Sequence, residues 1–359
     1  MSHNILITGA SGYLGGTLLA RWAAADLPPY GKLYALVRTA QQAEAVKQKY
    51  GAEPLAFDPY DESAVLRGVV DNKITVIYHL IDAFQSESQV YMIKALAEVK
   101  KTTGQAVHFL HTSGAKIFSS HAGAPHDREL RDNDPDLYQI QKRQQAPHAM
   151  MQTPVHTNNT VIEQCELHGV KSYIFVPCIV YGEGEGFGNV ISIQTVAIVK
   201  AAKALRRVYR TDEGRPTENP QTWPVCHVLD NTNLYLDILR RILKDEGAGI
   251  GSGRNGYYLA ASGSVAWDDL YAAMAAALAK RDDNIIDDTG IEMANSATLA
   301  KMGEAIGCPP EFVPVHLGGK CTFTARRGEE IGWKPAHTPE HILEAAEDEV
   351  ALILENLKQ

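Results

Sequence analysis

Long apolar segments and an excess of basic residues are both missing from this 359-residue sequence. No apolar run approaches the ~20 residues that a membrane-spanning helix requires, so we expect no membrane partner. The 34 basic side chains are outnumbered by 43 acidic ones, which gives a net charge of −9. Because nucleic acids are bound by basic surfaces, the sequence argues against nucleic acid as the main partner.

Cysteine is also scarce, with five scattered residues and no Cys-x-x-Cys pair. This pattern is typical of reduced, mostly buried thiols, and the first residues lead into a strand without a signal peptide, so we expect a cytoplasmic protein. Several histidines fall in one third of the chain, but they lack the tight spacing with cysteine or carboxylate that metal sites show. We therefore predict no bound metal. These histidines are His108, His111, His121, His126, His148 and His156.

What the sequence does contain is an alternation of short apolar strands and helical segments in its first half. Such strands indicate a parallel sheet covered on both faces, and right-handed crossovers make it doubly wound. We predict an α/β protein, with a Rossmann domain over residues 1–180 and a smaller, mainly helical C-terminal substrate lobe over residues 181–359. Some later segments are expected to return to the first domain. The lobe helices are predicted at residues 190–205, 231–244, 265–278 and 339–357.

The strongest motif is a glycine-rich turn between the first strand and the first helix, Thr8-Gly9-Ala10-Ser11-Gly12-Tyr13-Leu14-Gly15-Gly16. Glycines at a spacing of three allow a tight turn and a close approach of backbone amides to a pyrophosphate. The helix N-terminus adds a favourable dipole. The turn therefore predicts a dinucleotide site.

Arg38 ends the second predicted strand, where a carboxylate would select NAD by binding the ribose 2′-hydroxyl. A guanidinium at this position suits a 2′-phosphate instead, so the sequence favours NADP(H). Asp58 closes the third strand, where it either accepts a hydrogen bond from the adenine or caps the next helix.

With these motifs placed, the chain resembles the extended short-chain dehydrogenase/reductase superfamily, also called the NAD-dependent epimerase/dehydratase family. It looks closest to atypical fungal and plant-type members and to the NmrA-like group. The resemblance runs through most of the chain, in the segments Tyr78-His79-Leu80, Phe109-Leu110-His111-Thr112-Ser113-Gly114, Val176-Pro177-Cys178-Ile179-Val180-Tyr181-Gly182, His227-Val228-Leu229-Asp230-Asn231 and Ile331-Gly332-Trp333-Lys334-Pro335.

The resemblance implies which residues contact the cofactor and the substrate. Ser113 would orient a carbonyl, although the family's hydroxyl can fall one position later, at Gly114. The cofactor contacts that we predict come from Gly9, Ser11, Gly12, Tyr13, Leu14, Gly15, Arg38, Asp58, Leu80, Ile81, Thr112, Pro177 and Ile179, and the substrate contacts from His156, Tyr181 and Trp223.

The family's proton donor is a Tyr-x-x-x-Lys pair, and this sequence offers Tyr138 and Lys142. In the family, the pair lies on the helix that leads into the Val176-Pro177 strand. We predict that helix at residues 155–168, starting at Thr153-Pro154, and it contains neither a tyrosine nor a lysine. Either a rearranged segment brings Tyr138 and Lys142 to the site, or they lie outside it and another acid such as His156 or His111 takes the role.

The substrate lobe gives fewer indications. Trp223 stands where sugar-nucleotide enzymes of the family carry an arginine; its indole either stacks on an apolar ring or packs in the core. Arg206, Arg207, Arg210 and Arg215 either bind an anion or form a solvated helix end. The loop at residues 182–189 is either a mobile lid over the cofactor or a flexible connector.

These features together predict an NADP(H)-dependent oxidoreductase that reduces a carbonyl group or an activated double bond of a small apolar or aromatic metabolite. Two alternatives stay open: an NADP-binding isomerase or cyclase without net redox change, and a non-catalytic NmrA-like nucleotide sensor. The resemblance also implies a homodimer formed through the helices near residues 89–103 and 155–168.

Overall fold

The computed structural model describes residues 2–212, 220–281 and 285–357. Among these residues it contains strands and helices that alternate along the first half of the chain, as predicted. The strands are β1 Asn4–Ile7, β2 Leu33–Leu36, β3 Glu53–Leu55, β4 Ile74–His79, β5 His108–Thr112, β6 Leu130–Arg131, β7 Lys171–Pro177, β8 Ile179–Tyr181, β9 Tyr209–Arg210, β10 Thr222–His227, β11 Tyr257–Ala260, β12 Gly263–Ala266, β13 Glu292–Met293 and β14 Phe323–Thr324. The helices are α1 Tyr13–Arg21, α2 Ala40–Tyr50, α3 Glu62–Val70, α4 Glu87–Thr103, α5 Leu137–Arg143, α6 Ala149–His168, α7 Gln194–Leu205, α8 Val228–Asp245, α9 Trp267–Ala279, α10 Ser296–Ile306, α11 Val313–Leu317, α12 Arg327–Glu330, α13 His341–Glu344 and α14 Ala346–Asn356.

Seven parallel strands form the main sheet, in the order β11-β7-β5-β4-β1-β2-β3. The central strands are apolar and buried on both faces because helices cover both sides. Helices α3, α4 and α6 pack side by side on one face, and α1 packs against α8 on the other. The order reverses at β1, so the carboxyl ends of β1 and β4 border the crevice where doubly wound sheets bind ligands. The predicted Rossmann fold is confirmed.

The second half of the chain supplies a helical lobe with small sheets. Helices α7, α9, α10 and α14 pack on one another, beside the three-stranded sheet β12-β10-β8. Strand β11 and helix α8 return to the main sheet, and the division at residue 180 remains a prediction. Within the described ranges, no helix combines the length and apolarity needed to cross a bilayer.

Two predicted helix starts differ from the structure. Helix α6 begins at Ala149, so Pro154 lies inside it rather than at its start. A proline this early removes only one hydrogen bond, which the packing of α6 on α4 and β7 outweighs. The second predicted start, at Thr338-Pro339, lies before α13, which begins at His341. Residues 339–357 form two helices, α13 and α14, instead of one.

Candidate functional site

The turn between β1 and α1 is built around close backbone contacts. Gly9 has a positive φ of 70°, and a Cβ added at Gly15 would lie 2.9 Å from the Gly9 carbonyl carbon and closer still to its oxygen. The amide of Gly12 donates to the Gly9 carbonyl at 2.9 Å. The first turn of α1 carries no acidic side chain, so its unpaired amides face a site suited to an anion.

Neighbouring segments hold this turn in place. Ser11 Oγ accepts a hydrogen bond from Gln42 Nε2 at 3.1 Å, which ties the turn to α2. The amide of Leu80 donates to Thr8 Oγ1 at 2.8 Å, so the end of β4 lies directly against Gly9. Ile81, the next residue, is 38% exposed at the same carboxyl edge of the sheet. Ser11, Leu80 and Ile81 therefore border the predicted dinucleotide site.

Tyr13 and Leu14 point away from the turn. The Tyr13 hydroxyl donates to the Gly182 carbonyl at 2.5 Å, and burial raises the pKa of this phenol. Leu14 packs with Tyr13 against Val180 and Val228. Their backbone amides can still serve an anion, while their side chains join the turn to the second half of the chain.

Arg38 is exposed just beyond the carboxyl end of β2, and its backbone amide donates to Gln42 Oε1 at 2.9 Å. In the part of the chain that the structure describes, no side chain pairs with its guanidinium. Gln42 also donates a hydrogen bond to Ser11, so this one side chain links Arg38 to the glycine turn. An unpaired cation at this place suits a ribose 2′-phosphate.

Asp58 does not cap the following helix; Asp61 does, by accepting from the amides of Ser63 and Ala64. Asp58 instead accepts from the amide of Tyr60 at 3.0 Å, and it is exposed. The Tyr60 hydroxyl in turn donates to Asp82 Oδ2 at 2.9 Å. The residues after β3 and after β4 thus meet at the predicted adenine end of the site.

Residues 182–189 lie along α1 as a strap. Gly184 packs on the Tyr13 ring, and Gly186 packs on the Cα of Gly16. Gly188 lies against the backbone of Ser11, whose carbonyl accepts from the amide of Asn189 at 3.0 Å. Of the alternate side chains, Glu183 and Glu185 are exposed, and Arg21 binds Glu185 through two hydrogen bonds of 2.7 Å. Phe187 is partly buried beside Tyr50. The structure therefore shows this loop docked on α1 and on Ser11 of the glycine turn, and its role as a lid over the cofactor stays a prediction.

Substituting Gly188 tests whether the strap supports the turn. A Cβ at Gly188 would come within 3.0 Å of the Ser11 carbonyl carbon and closer to its oxygen. We expect Gly188→Ala to destabilise the fold by about 1–3 kcal/mol, the usual cost of overpacking, as measured by urea denaturation. The outward-facing Glu183→Ala serves as control. Equal stability of the two variants would show that the strap is not packed as described.

The end of β5 carries three polar side chains that point to opposite faces of the sheet. Thr112 Oγ1 lies 2.8 Å from the Tyr235 hydroxyl of α8. Ser113 Oγ and both ring nitrogens of His111 are buried without a partner among the described residues. Burial lowers the pKa of His111 to about 4, so its imidazole is neutral at pH 7. Buried polar atoms without a partner call for a ligand or water, which marks Ser113 as a candidate site residue.

Helix α6 buries polar as well as apolar side chains. Met151 and Val155 are buried, as are the polar residues Thr157, Asn158 and Asn159, and the amide atoms of Asn158 have no described partner. No residue of α6 is a tyrosine or a lysine, so this helix supplies neither a phenol nor an ammonium.

Tyr138 and Lys142 both pair with Glu163 on α6. The Tyr138–Glu163 distance is 2.6 Å, and burial with this hydrogen bond raises the pKa of Tyr138 to about 12, opposite to the change a proton donor needs. Glu163 is 14 residues from the start of α6, about 21 Å along the helix, toward the amino ends of the strands. The structure does not bring the pair to Ser113, and its catalytic role remains a prediction that this geometry disfavours.

Lys116 was not singled out from the sequence, yet burial strongly lowers the pKa of this residue just beyond β5. It lies three residues after Ser113 in a short 3-10 turn, and its Nζ is 3.2 Å from His316 Nδ1 on α11. Burial lowers the pKa of Lys116 to about 8 and that of His316 to about 4. A neutral His316 therefore accepts a hydrogen bond from a lysine whose pKa is close to neutral, at the junction of the sheet and the helical lobe.

The pKa of Lys116 predicts a pH-dependent stability effect. Below about pH 8 the folded protein carries the buried charge, so Lys116→Met should raise the free energy of unfolding by up to about 3 kcal/mol. Between about 8 and the ordinary value of 10.5, folded wild type loses this proton while the unfolded chain keeps it. Wild-type stability then rises and the difference vanishes. Urea denaturation at pH 7 and about pH 10, with exposed Lys101→Met as control, measures this; a gain that does not shrink with pH would contradict it.

The other predicted substrate and cofactor residues have mixed positions. His156 is exposed and lies 3.1 Å from Gln152. The Tyr181 hydroxyl lies 2.9 Å from His341 Nδ1, at the base of the strap. Trp223 is 2% exposed and packs near His121 and Trp267, which is the core-packing alternative. Pro177 ends β7 beside Ala260, and Ile179 is buried in β8 beside Val225.

The arginine cluster is already neutralised. Arg206 pairs with Asp287 at 2.5 Å, Arg207 with Asp288 and Glu292, and Arg210 with Asp268 at 3.6 Å. These ion pairs match the solvated helix end and leave little charge for an anionic substrate. Arg215 lies outside the described residues.

Comparisons with known proteins bear on this site. A family model described as the NAD dependent epimerase/dehydratase family matches residues 5–247. No curated protein matches the chain.

Three solved structures share the fold across nearly the whole chain. UDP-glucose 4-epimerase of Thermotoga maritima, with UDP-glucose, is 14% identical, with 99% of each chain covered and a TM-score of 0.62. dTDP-glucose 4,6-dehydratase of Bacillus anthracis, in complex with NAD, is 11% identical, with 99% of this chain and 98% of that one covered and a TM-score of 0.61. Vestitone reductase of alfalfa is 13% identical, with 99% of each chain covered and a TM-score of 0.60. At these identities the similarity establishes the fold.

Proposed function

Because the chain belongs to the NAD dependent epimerase/dehydratase family, whose members depend on a nicotinamide dinucleotide, we propose that it is an NADP(H)-dependent oxidoreductase. Its substrate is a small molecule with a carbonyl group or an activated double bond. The observation that carries this proposal is the pair of groups beyond β5: Ser113, with a buried unpartnered hydroxyl, and Lys116, with a pKa of about 8.

The residues at the carboxyl edge of the sheet fit the cofactor. The close Gly9–Gly15 approach leaves room for a pyrophosphate at α1, where no acidic side chain opposes it. Arg38 has no described partner and is free to bind a 2′-phosphate. The bound cofactor would supply a hydride. NADP(H) rather than NAD(H) follows from Arg38 in this proposal.

In the proposed reaction, Ser113 donates a hydrogen bond to the substrate carbonyl and orients it. The Lys116 ammonium would give a proton to the carbonyl oxygen when the carbonyl is reduced, and a pKa near the working pH suits this exchange. His316 accepts from Lys116 and holds its Nζ in place.

A nucleotide sensor is the second candidate. Helix α6 carries neither a tyrosine nor a lysine, although the family's pair lies on the corresponding helix, near residues 150–156 and 154–160. A protein of this kind binds NADP(H) but converts nothing. For either function we also propose a cytoplasmic location and a homodimer through α4 and α6, which lie side by side on one face of the sheet.

Turnover separates these candidates. We would follow NADPH consumption with a panel of aldehydes, ketones and enones for wild type, Lys116→Met, Ser113→Ala and Tyr138→Phe. The proposal predicts wild-type turnover, a loss of ~100-fold or more in kcat for Lys116→Met with unchanged NADPH affinity, and an unaffected Tyr138→Phe. Loss of activity in Tyr138→Phe alone would show that Tyr138 and Lys142 are the catalytic pair after all. Tight NADPH binding without turnover would favour the sensor, and product formation without NADPH consumption an isomerase or cyclase.

A further inference from the structure

Two buried imidazoles and a carboxylate meet at the amino edge of the sheet, opposite the glycine turn. His3 precedes β1, His108 begins β5 and Glu246 follows α8. The Nε2 atoms of His3 and His108 each lie 3.2 Å from the same oxygen, Glu246 Oε2. We propose that these three side chains bind a divalent transition-metal ion of the zinc type.

The spacing of the three donors matches a zinc site. Zinc bonds of about 2.0–2.2 Å to nitrogen and oxygen place neighbouring ligands of a tetrahedron ~3.3 Å apart. Both nitrogen–oxygen distances are 3.2 Å, and the three ligand atoms all lie within 4.8 Å of one another. An ion can thus be accommodated with small side-chain adjustments.

The other ring nitrogens are held by polar partners, as in known metal sites. His3 Nδ1 lies 2.9 Å from Thr75 Oγ1, which can accept its proton. Gln105 Nε2, 3.3 Å from the same nitrogen, is a donor and opposes this tautomer. His108 Nδ1 lies 3.2 Å from the Tyr173 hydroxyl, and the two rings stack. These contacts fix both rings with Nε2 directed at Glu246.

The charges favour a cation between the rings. Two imidazoles and a carboxylate are a donor set that binds zinc in proteins. Without an ion, two Nε2–H groups must share one oxygen. Lys171 opposes binding, because its ammonium donates to the Glu246 carbonyl oxygen close by.

The backbone holds the carboxylate in position at a cost. Glu246 has a φ of 57° in the left-handed region, which is unfavourable for a residue with a side chain. Its side chain is 47% exposed, whereas those of His3 and His108 are 4% and 0% exposed. The fourth ligand position therefore opens to solvent for a water. An ion here would tie β1, β5 and α8 together, away from the proposed reaction.

Zinc binding by the full chain, without a histidine tag and after treatment with a chelator, tests this site. By calorimetry with zinc chloride we expect one ion per chain at micromolar concentration, a rise in Tm and, with cobalt(II), the visible absorption of a tetrahedral site. Glu246→Gln and His3→Gln should each weaken binding by ~10–100-fold, while the control His156→Gln should bind as wild type does.

Because the Glu246 side chain is half exposed, we expect Glu246→Gln to fold. This variant therefore tests the site even if a histidine variant fails to fold. Absence of stoichiometric zinc binding by wild type would overturn the proposal. So would binding that Glu246→Gln leaves unchanged. None of these readouts depends on the proposed oxidoreductase activity.

Discussion

Replacing Arg38 by alanine is expected to weaken NADPH binding by about 10–100-fold while NADH binding stays unchanged. Hydrogen bonds to charged groups contribute about 1.5–3 kcal/mol, and 1.4 kcal/mol corresponds to a factor of ten. Arg38 has no described side-chain partner to lose, so its removal should act on the ligand rather than on the fold. Calorimetry with both nucleotides measures the two affinities.

Arg67→Ala is the matched control for this substitution, since Arg67 is an exposed arginine on α3 that no described ion pair involves. Arg38→Glu should go further and favour NADH, because a carboxylate repels the 2′-phosphate and accepts from a 2′-hydroxyl. If wild type prefers NADH, or if Arg38→Ala and Arg67→Ala bind NADPH alike, the assignment of Arg38 is wrong.

Gly15→Ala should have the second large effect, on both stability and cofactor binding. The added Cβ would lie 2.9 Å from the Gly9 carbonyl carbon, and Gly9 cannot yield easily because it is itself held against Leu80. Overpacking of this kind costs about 1–3 kcal/mol. Helix α1 must then shift away from the turn, which displaces the amides that face the pyrophosphate.

We therefore expect Gly15→Ala to have a lower urea midpoint and to lose measurable NADPH binding. Gly290→Ala is the control, because the only atoms near its added Cβ belong to the flexible Asp288 carboxylate. A Gly15→Ala protein that retains wild-type stability and NADPH affinity would show that the turn does not bind the cofactor through a close glycine approach.

Most of the Rossmann half could be predicted from the sequence, because the signals there are local. Apolar, β-branched residues and the glycines of the turn each determine the structure of the few residues around them. The family resemblance is confirmed for the same reason, since it rests on these segments. The start of α6 was predicted wrongly because Thr153-Pro154 resembles a start signal. The actual N-cap residue, His148, makes no side-chain hydrogen bond to the helix, so the sequence gives no signal there.

The site could be predicted only where its residues are close in sequence. Lys116 owes its lowered pKa to burial beneath a lobe in which its partner His316 lies 200 residues later, so no pattern around Lys116 reveals it. Tyr138 and Lys142 have the family's spacing but pair with Glu163, a contact that depends on how α5 packs on α6. His3, His108 and Glu246 are likewise brought together only by the sheet.

A crystal structure of the protein with NADP⁺ would test the cofactor site and the proposed proton donor together. We expect the pyrophosphate over the N-terminus of α1, the 2′-phosphate within hydrogen-bond distance of Arg38, and the nicotinamide between Ser113 and Lys116. A nucleotide bound elsewhere, or one whose nicotinamide lies beside Tyr138 and Lys142, would contradict this expectation.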